Sequence, residues 1–256
     1  ITKEPIPVVP TIHYQMGGIP TNIHGQVVTW DGTQNKVVNG LYAVGECAAV
    51  SVHGANRLGT NSLLDLLVFG KSAGKHITSY VKDFGEHKEV PTNGSERTLE
   101  RLNQLDNSKD GIYAQDLAGE IRQPMQTHAG VFRTQKSMDE GVVKIAEIRQ
   151  KVGQVTLQDK SKVWNTARME ALEVDNLIEV AQATMVSAAA RKECRGAHTV
   201  YDYEHPADHP EHPLGRNDKE WLKHTLWDSA TNSLTYKPVN MKPLTVESIP
   251  PKVRTF

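Results

Sequence analysis

The sequence predicts a mixed fold in three parts: an α/β segment over residues 1–85, an all-α helical bundle over 95–193 and a small α+β domain over 195–256. Three observations predict it. The first part is rich in glycine and β-branched residues, with short apolar runs between turns. The second has apolar residues at helical spacing. In the third, a proline-rich stretch precedes two strand-like runs.

A β-hairpin is predicted near the start of the first part. Strand-like runs at 26–30 and 36–38 flank residues 31–35, which contain an Asp-Gly pair typical of hairpin turns. Residues 40–46 then predict a short buried strand that ends at a glycine.

The first part closes with a predicted helix over residues 63–80, for which Asn61 or Ser62 is a suitable N-cap. Its apolar residues approximate one face, at Leu63, Leu64, Leu67, Val68, Ala73 and Ile77.

After a polar linker at 91–95, four amphipathic helices are predicted, and short connections between them indicate a bundle. Their apolar stripes are Leu99, Leu102 and Leu105; Tyr113, Leu117, Ile121, Met125 and Ala129; Met138, Val142, Ile145 and Val152; and Met169, Leu172, Leu177, Ala181, Met185 and Ala188. Pro124 predicts a kink or a late start in the second helix. Met125, Met138 and Met185 are expected to fill the core.

The third part predicts a second hairpin, with strands at 223–227 and 233–237, and an extended tail at 250–256. His205, His209 and His212 have a spacing that resembles a metal site. Because three prolines deny them a shared helix face, we favour a solvated surface loop and expect no metal.

Composition excludes several classes of protein. Lys and Arg total 29 against 30 Asp and Glu, and the sequence pI of about 6.9 argues against a nucleic-acid partner. No apolar run approaches the roughly 18 residues of a membrane-spanning helix. Cys47 and Cys194 are far apart in the sequence, so we expect no disulfide and a reducing compartment. The chain starts at Ile1 without a methionine or a signal peptide, and we expect a piece of a longer protein.

Three glycine-rich segments in the first part could carry chemistry. Residues 10–19 hold His13 before a Gly pair, which suits a backbone that approaches a flat ligand, although a turn with a structural histidine is the commoner case. Glu46 follows an apolar run and could accept a hydrogen bond from a ribose hydroxyl, or it could be a solvated acid. Arg57 lies among small residues and could present its planar fork to a carboxylate, or it could pair with a surface acid.

Three motifs in this order and spacing resemble the succinate dehydrogenase and fumarate reductase flavoprotein family, which also holds L-aspartate oxidase. They are PTIHYQMGGIPT from residue 10, GLYAVGE from residue 40 and HGANRLGTNSLLDL from residue 53. The resemblance extends over the whole chain, since residues 195–198 and 250–256 also match. Residues 61–65 and 221–226 look like the dehydrogenase version, whereas the stretch 204–213 looks like an insertion.

The resemblance implies FAD as cofactor and a role for individual residues. His13 and Arg57 match the positions that hold the dicarboxylate, and Glu46 matches the acid that binds the adenosine ribose of FAD. Asn61, Ser62 and Leu63 match the segment beside the flavin. The family's glycine-rich nucleotide-binding turn, its covalent flavin histidine and its proton-shuttle arginine all lie upstream of Ile1. We therefore expect this chain alone to be inactive.

By the same resemblance, residues 1–85 are the C-terminal segment of an FAD-binding Rossmann-like domain. The implied activity is oxidation of succinate to fumarate by hydride transfer to FAD, with electrons passed to an iron–sulfur subunit. Alternatives are a fumarate reductase or L-aspartate oxidase flavoprotein, or a module that only docks a partner subunit. The implied location is a membrane surface reached through anchor subunits, at the cytoplasmic face in bacteria or the matrix side in mitochondria.

Overall fold

The computed structural model describes residues 2–7, 13–84, 89–204, 215–242 and 245–251. It divides into two compact units. The first comprises residues 1–88 with 195–197, and the second comprises 89–194 with 198–256. The structure is mixed helix and sheet, as predicted.

The first unit contains two small sheets. Strand β1 (Ile19–Pro20) pairs in parallel with β4 (Ala48–Ala49), and β2 (Gln26–Trp30) pairs antiparallel with β3 (Asn35–Tyr42). The second pair is the predicted hairpin. Asp31 stabilises its turn, because one carboxylate oxygen accepts from the backbone N–H groups of both Thr33 and Gln34, which holds the pKa of Asp31 well below its usual value.

The prediction of a short buried strand at 40–46 was wrong. Residues 40–42 extend β3, which is exposed along almost its whole length, and Gly45–Cys47 form a single 3-10 turn. A run of hydrophobic residues favours a strand but does not determine whether the strand is buried. A two-stranded sheet can leave a face exposed to solvent.

Helix α1 (Asn61–Phe84) is longer than predicted at both ends. It starts at Asn61, so Asn61 and Ser62 occupy its first turn rather than the N-cap. Only Asp65 and Ala73 are buried on α1. The predicted apolar face is open in the described residues, with Leu63, Leu64 and Leu67 all more than half exposed.

The second unit contains the four predicted helices. They are α2 (Glu96–Asn107), α3 (Ala114–His128), α4 (Gln135–Arg149) and α5 (Thr166–Ala190). A short parallel pair, β5 (Ile112–Tyr113) and β6 (Val155–Thr156), joins the segment before α3 to the segment before α5. Pro124 lies inside α3, which does not start late.

Helices α3, α4 and α5 pack around one core. Leu117, Ile121, Ile145 and Met185 are at most 1% exposed in it, and Met125 packs against it partly buried. Met138 is fully buried in a neighbouring cluster. The methionines therefore fill the core as predicted.

Two predicted apolar stripes are buried only in part. On α5 the buried residues include Val174 and Ile178, whereas Met169 is 57% exposed. On α2 only Leu105 is buried, and Leu99 is 53% exposed. The buried band of a helix is set by where its neighbours cross it, and periodicity alone does not contain that information.

The predicted second hairpin is present. Short helices α6 (Tyr201–Glu204) and α7 (Asp218–Trp221) precede strands β7 (Lys223–Asp228) and β8 (Ser233–Pro238), which pair antiparallel.

Arg191 follows α5 and connects that helix to the hairpin through hydrogen bonds. Its guanidinium donates to the carbonyl oxygens of Trp221 and Lys223 and to the hydroxyl of Thr225. It also donates at 2.7 Å to Glu193, whose side chain is fully buried. Each of these bonds is made by a planar group with five donors, a geometry that lysine lacks.

Both cysteines are free, Cys47 exposed and Cys194 buried. In the described ranges, no helix is long and apolar enough to cross a membrane, and no group of three or more His, Cys, Asp or Glu side chains could hold a metal ion. The predictions for His205, His209 and His212, and for most of the tail at 250–256, fall outside the described residues.

Acidification from about pH 7 to about pH 5 is expected to destabilise the second unit. Burial and the Arg133 and Arg191 guanidinium groups hold the pKa of His198 below its usual value of about 6.5, and burial with Lys237 lowers the pKa of His224. The unfolded chain then binds more protons, so this stability is present above about pH 6.5 and is lost as the pH falls.

Urea unfolding at a series of pH values measures this effect, and His198→Gln should flatten the decline. Arg133 donates to Nδ1 of His198 and the Arg191 carbonyl lies 3.1 Å from Nε2, an arrangement that only the neutral ring satisfies. An identical pH dependence in His198→Gln and the unsubstituted chain would contradict the assignment to His198.

Candidate functional site

The loop at residues 51–60 carries Arg57 and leads directly into α1. Two non-glycine residues with positive φ bound it, Ser51 at 74° and Thr60 at 69°. This conformation is costly for a β-branched residue such as Thr60. Such strain is commonly found at functional sites, where the surrounding structure imposes it.

Tyr14 is the point at which the predicted site residues meet. The Arg57 guanidinium carbon lies 4.7 Å from the centre of the Tyr14 ring, a cation–π contact. Burial raises the pKa of Tyr14, as do the negative charges of Asp65 and Glu46, while the Ser62 hydroxyl and Arg57 oppose that rise. Charges and dipoles from three parts of the first unit, namely the 3-10 turn, the loop at 51–60 and α1, therefore act on one phenol.

Glu46 reaches this cluster from the 3-10 turn between β3 and β4. Its carboxylate accepts from the backbone N–H of Gln15 at 3.3 Å. Gly18 permits the approach of the two segments: at φ 126° its α-carbon lies so close to Cys47 that a Cβ would come within 2.5 Å of the Cys47 carbonyl oxygen. Gly18 thus allows a close backbone contact, here with another part of the chain.

The half-buried Arg57 guanidinium is open to a ligand. Within the described ranges no carboxylate pairs with it and no protein acceptor takes its hydrogen bonds. An uncommitted arginine fork can bind a carboxylate through two parallel hydrogen bonds. The alternative in which Arg57 pairs with a surface acid finds no support among these residues.

The remaining predicted residues are sequence neighbours of Tyr14 or Ser62. His13 immediately precedes Tyr14 and is exposed. At the start of α1, Asn61 donates its N–H to Leu58 and Leu63 donates to Thr60, so the turn before the helix continues into it. The side chain of Leu63 points to solvent in this unit, with the residue 64% exposed.

Sequence reasoning missed two residues besides Tyr14. Nε2 of His53 lies 2.9 Å from Oδ2 of Asp65, and their side chains are only 10% and 6% exposed. A signal for this pair was available, because Asp65 is the one charged residue in the apolar run from Leu63 to Phe69. An acid in such a run needs a partner if it is buried.

Gly196 supports the same loop from a distant part of the sequence. At φ 60° it lies against Ala55, and a Cβ there would come within 2.7 Å of the Ala55 carbonyl oxygen. No local pattern predicts a contact between residues so far apart in the chain.

The chain is similar to several known proteins. Residues 118–256 match the family described as fumarate reductase flavoprotein C-term, and residues 1–63 match an FAD binding domain. The succinate dehydrogenase flavoprotein subunit of Rickettsia bellii is 48% identical over all of this chain and 42% of its own length, and that of Coxiella burnetii is 45% identical over 99% and 42%. A solved Escherichia coli quinol fumarate reductase chain superposes with a TM-score of 0.79 at 36% identity, covering 97% of this chain and 40% of that one. The chain thus spans about two fifths of the length of these relatives.

Proposed function

This chain belongs to the family of succinate dehydrogenase and fumarate reductase flavoprotein subunits, and from that premise we propose that it supplies part of a site that oxidises succinate to fumarate with FAD. The observation that carries the proposal is the Arg57 guanidinium, half-buried above Tyr14 and without a carboxylate partner in the described ranges. A dicarboxylate is a ligand that such a group can bind.

Arg57 and His13 hold the dicarboxylate in this proposal. Arg57 binds one carboxylate with its fork, and His13, one residue before Tyr14, binds the other end. Holding a substrate at both ends fixes which C–H bond faces the cofactor, and orientation of this kind supplies much of an enzyme's rate advantage.

Glu46, Asn61, Ser62 and Leu63 hold FAD in the proposal. Glu46 takes the adenosine ribose, and the other three present the start of α1 to the flavin. The first turn of α1 contains no acidic side chain, so the positive end of its dipole is available to an electron-rich ring edge. When bound, FAD supplies acceptance of the hydride.

In this proposal, residues of this chain bind and orient the substrate and FAD, and none of them is assigned the proton transfer. One hydrogen of succinate leaves as the hydride and the other, on the neighbouring carbon, leaves as a proton. That proton needs a base, which the family resemblance places upstream of Ile1. The segment 1–85 accordingly serves as the C-terminal part of a Rossmann-like domain, with 95–193 as the helical domain and 195–256 as a small third domain.

The proposed partners follow from the same family. Electrons pass from the flavin to an iron–sulfur subunit, and the complex reaches the membrane through anchor subunits, at the cytoplasmic face in bacteria or the matrix side in mitochondria. Similarity to a solved quinol fumarate reductase supports a place in such a complex. A fumarate reductase or L-aspartate oxidase is the alternative within this chemistry, and a docking module without catalysis is the alternative outside it.

The test is the visible absorption of the full-length flavoprotein, assembled with its partner subunits, before and after addition of succinate. We expect the oxidised flavin band to bleach with succinate, and L-aspartate, matched in size and charge at both carboxylates, to leave it unchanged. Bleaching by aspartate alone would identify an oxidase of aspartate. A flavin that neither compound reduces would overturn the enzymatic proposal in favour of docking.

A further inference from the structure

The His53–Asp65 pair is largely buried, with side chains 10% and 6% exposed, and has no part in the function proposed above. Asp65 lies on α1 between leucines, and a carboxylate buried there is tolerated only with a good partner. His53 is the partner, at 2.9 Å. The pair joins the loop that carries Arg57 to the helix that follows it.

The two nitrogens of the His53 ring have different surroundings. Nε2 faces the Asp65 carboxylate, which accepts from an N–H at that position. Nδ1 is buried and has no partner among the described residues. The ring is therefore held at Nε2 by Asp65.

His53 also contacts the residue on which Arg57 rests. The rings of His53 and Tyr14 meet edge to face, with centroids 6.3 Å apart and planes at 73°. Tyr14 in turn lies under the Arg57 guanidinium. A continuous series of contacts thus runs from α1 through Asp65, His53 and Tyr14 to Arg57.

We propose that His53 and Asp65 are positioning residues for Arg57: by fixing the loop at both its base and the Tyr14 ring, they hold the guanidinium in the orientation that binds a substrate carboxylate. The inference rests on the proposed function. It assigns neither residue a contact with the reacting atoms. Its consequence is that loss of the pair weakens binding of dicarboxylates more than it slows the chemical step.

The test uses His53→Phe in the full-length flavoprotein complex, with malonate as the dicarboxylate probe. Phenylalanine keeps the ring against Tyr14 but leaves Asp65 unpaired. We expect the Kd for malonate and the KM for succinate each to rise at least about tenfold, with a smaller change in kcat. The reason is that a misplaced Arg57 guanidinium binds the carboxylate less well. Flavin content and the oxidised flavin spectrum should stay unchanged.

His53→Gln is the rescue variant and His76→Phe the matched control. Glutamine can reach Asp65 with an N–H donor and should restore malonate binding. His76 lies on α1, where its Nδ1 is 2.8 Å from the hydroxyl of Tyr42 on β3. It lies outside the cluster, so its replacement should leave both constants unchanged.

Malonate binding and KM unchanged in His53→Phe would overturn the inference. If His53→Phe fails to assemble, the inference is tested by comparing His53→Asn with His53→Gln. Asparagine is too short to reach Asp65, so equal malonate affinity in these two variants would also overturn the inference. The proposed function fails separately, when the unsubstituted complex is not bleached by succinate.

Discussion

Arg57→Ala in the full-length flavoprotein is expected to lower kcat/KM for succinate at least about a thousandfold, equivalent to about 4 kcal/mol of transition-state stabilisation. The reason is that no other described cation contacts Tyr14 at the junction of the loop and α1. Arg57→Lys should recover little of this loss, because an ammonium group keeps the charge but lacks the fork that binds a carboxylate in two places. Steady-state kinetics with succinate measure both effects.

Arg97→Ala provides the control, since Arg97 is an exposed arginine on α2 and its removal should leave kcat/KM unchanged. Flavin content must be measured in parallel. Loss of bound flavin from Arg57→Ala would contradict the substrate-binding role and indicate that Arg57 holds the cofactor or the loop instead.

Glu193→Ala is expected to reduce the free energy of unfolding of the second unit by about 3 kcal/mol or more. Glu193 is fully buried, and its two oxygens accept from Arg191 at 2.7 Å and from the backbone N–H of Asn217 at 2.9 Å. Removing the carboxylate leaves a buried guanidinium with incomplete compensation and a backbone donor without an acceptor. Urea unfolding followed by tryptophan fluorescence suits the measurement, because Trp221 contacts the Arg191 guanidinium.

Glu140→Ala is the control for this change, because Glu140 is exposed on α4 and its loss should alter stability by less than about 0.5 kcal/mol. An equal and small effect of the two substitutions would mean that water or the remaining acceptors replace Glu193 at no cost.

Most of the fold elements that could be predicted depend on interactions between residues close together in the sequence. The first hairpin was visible in the sequence because Asp31 builds the turn with bonds to residues two and three positions away. The four bundle helices were visible because apolar spacing is a property of each segment. Which residues of α5 are buried was less predictable. Met169 is exposed and Val174 is buried, because the helices packed against α5 determine which side of it is covered.

The candidate site was predictable at its glycine-rich and charged positions and not at its supports. Arg57 and Glu46 were selected as residue types with evident chemistry, and Ser62 through the family resemblance. All three lie near enough to Tyr14 to act on its phenol. Tyr14 and His53 act through contacts made in three dimensions, and Gly196 comes from a distant segment. Those contacts depend on how the loop folds back, which no window of the sequence contains.

The Arg191 contacts also affect local unfolding of the β7–β8 hairpin. A two-stranded hairpin alone is only marginally stable in water. Here the guanidinium bonds to the Lys223 carbonyl and the Thr225 hydroxyl at the start of β7, and its backbone N–H bonds to Ala188 in the last turn of α5. The hairpin cannot detach without breaking those bonds, so its backbone amides share the hydrogen-exchange protection of the helix instead of fraying alone. Strands β7 and β8 and the C-terminal turn of α5 thus form one cooperative unit of unfolding.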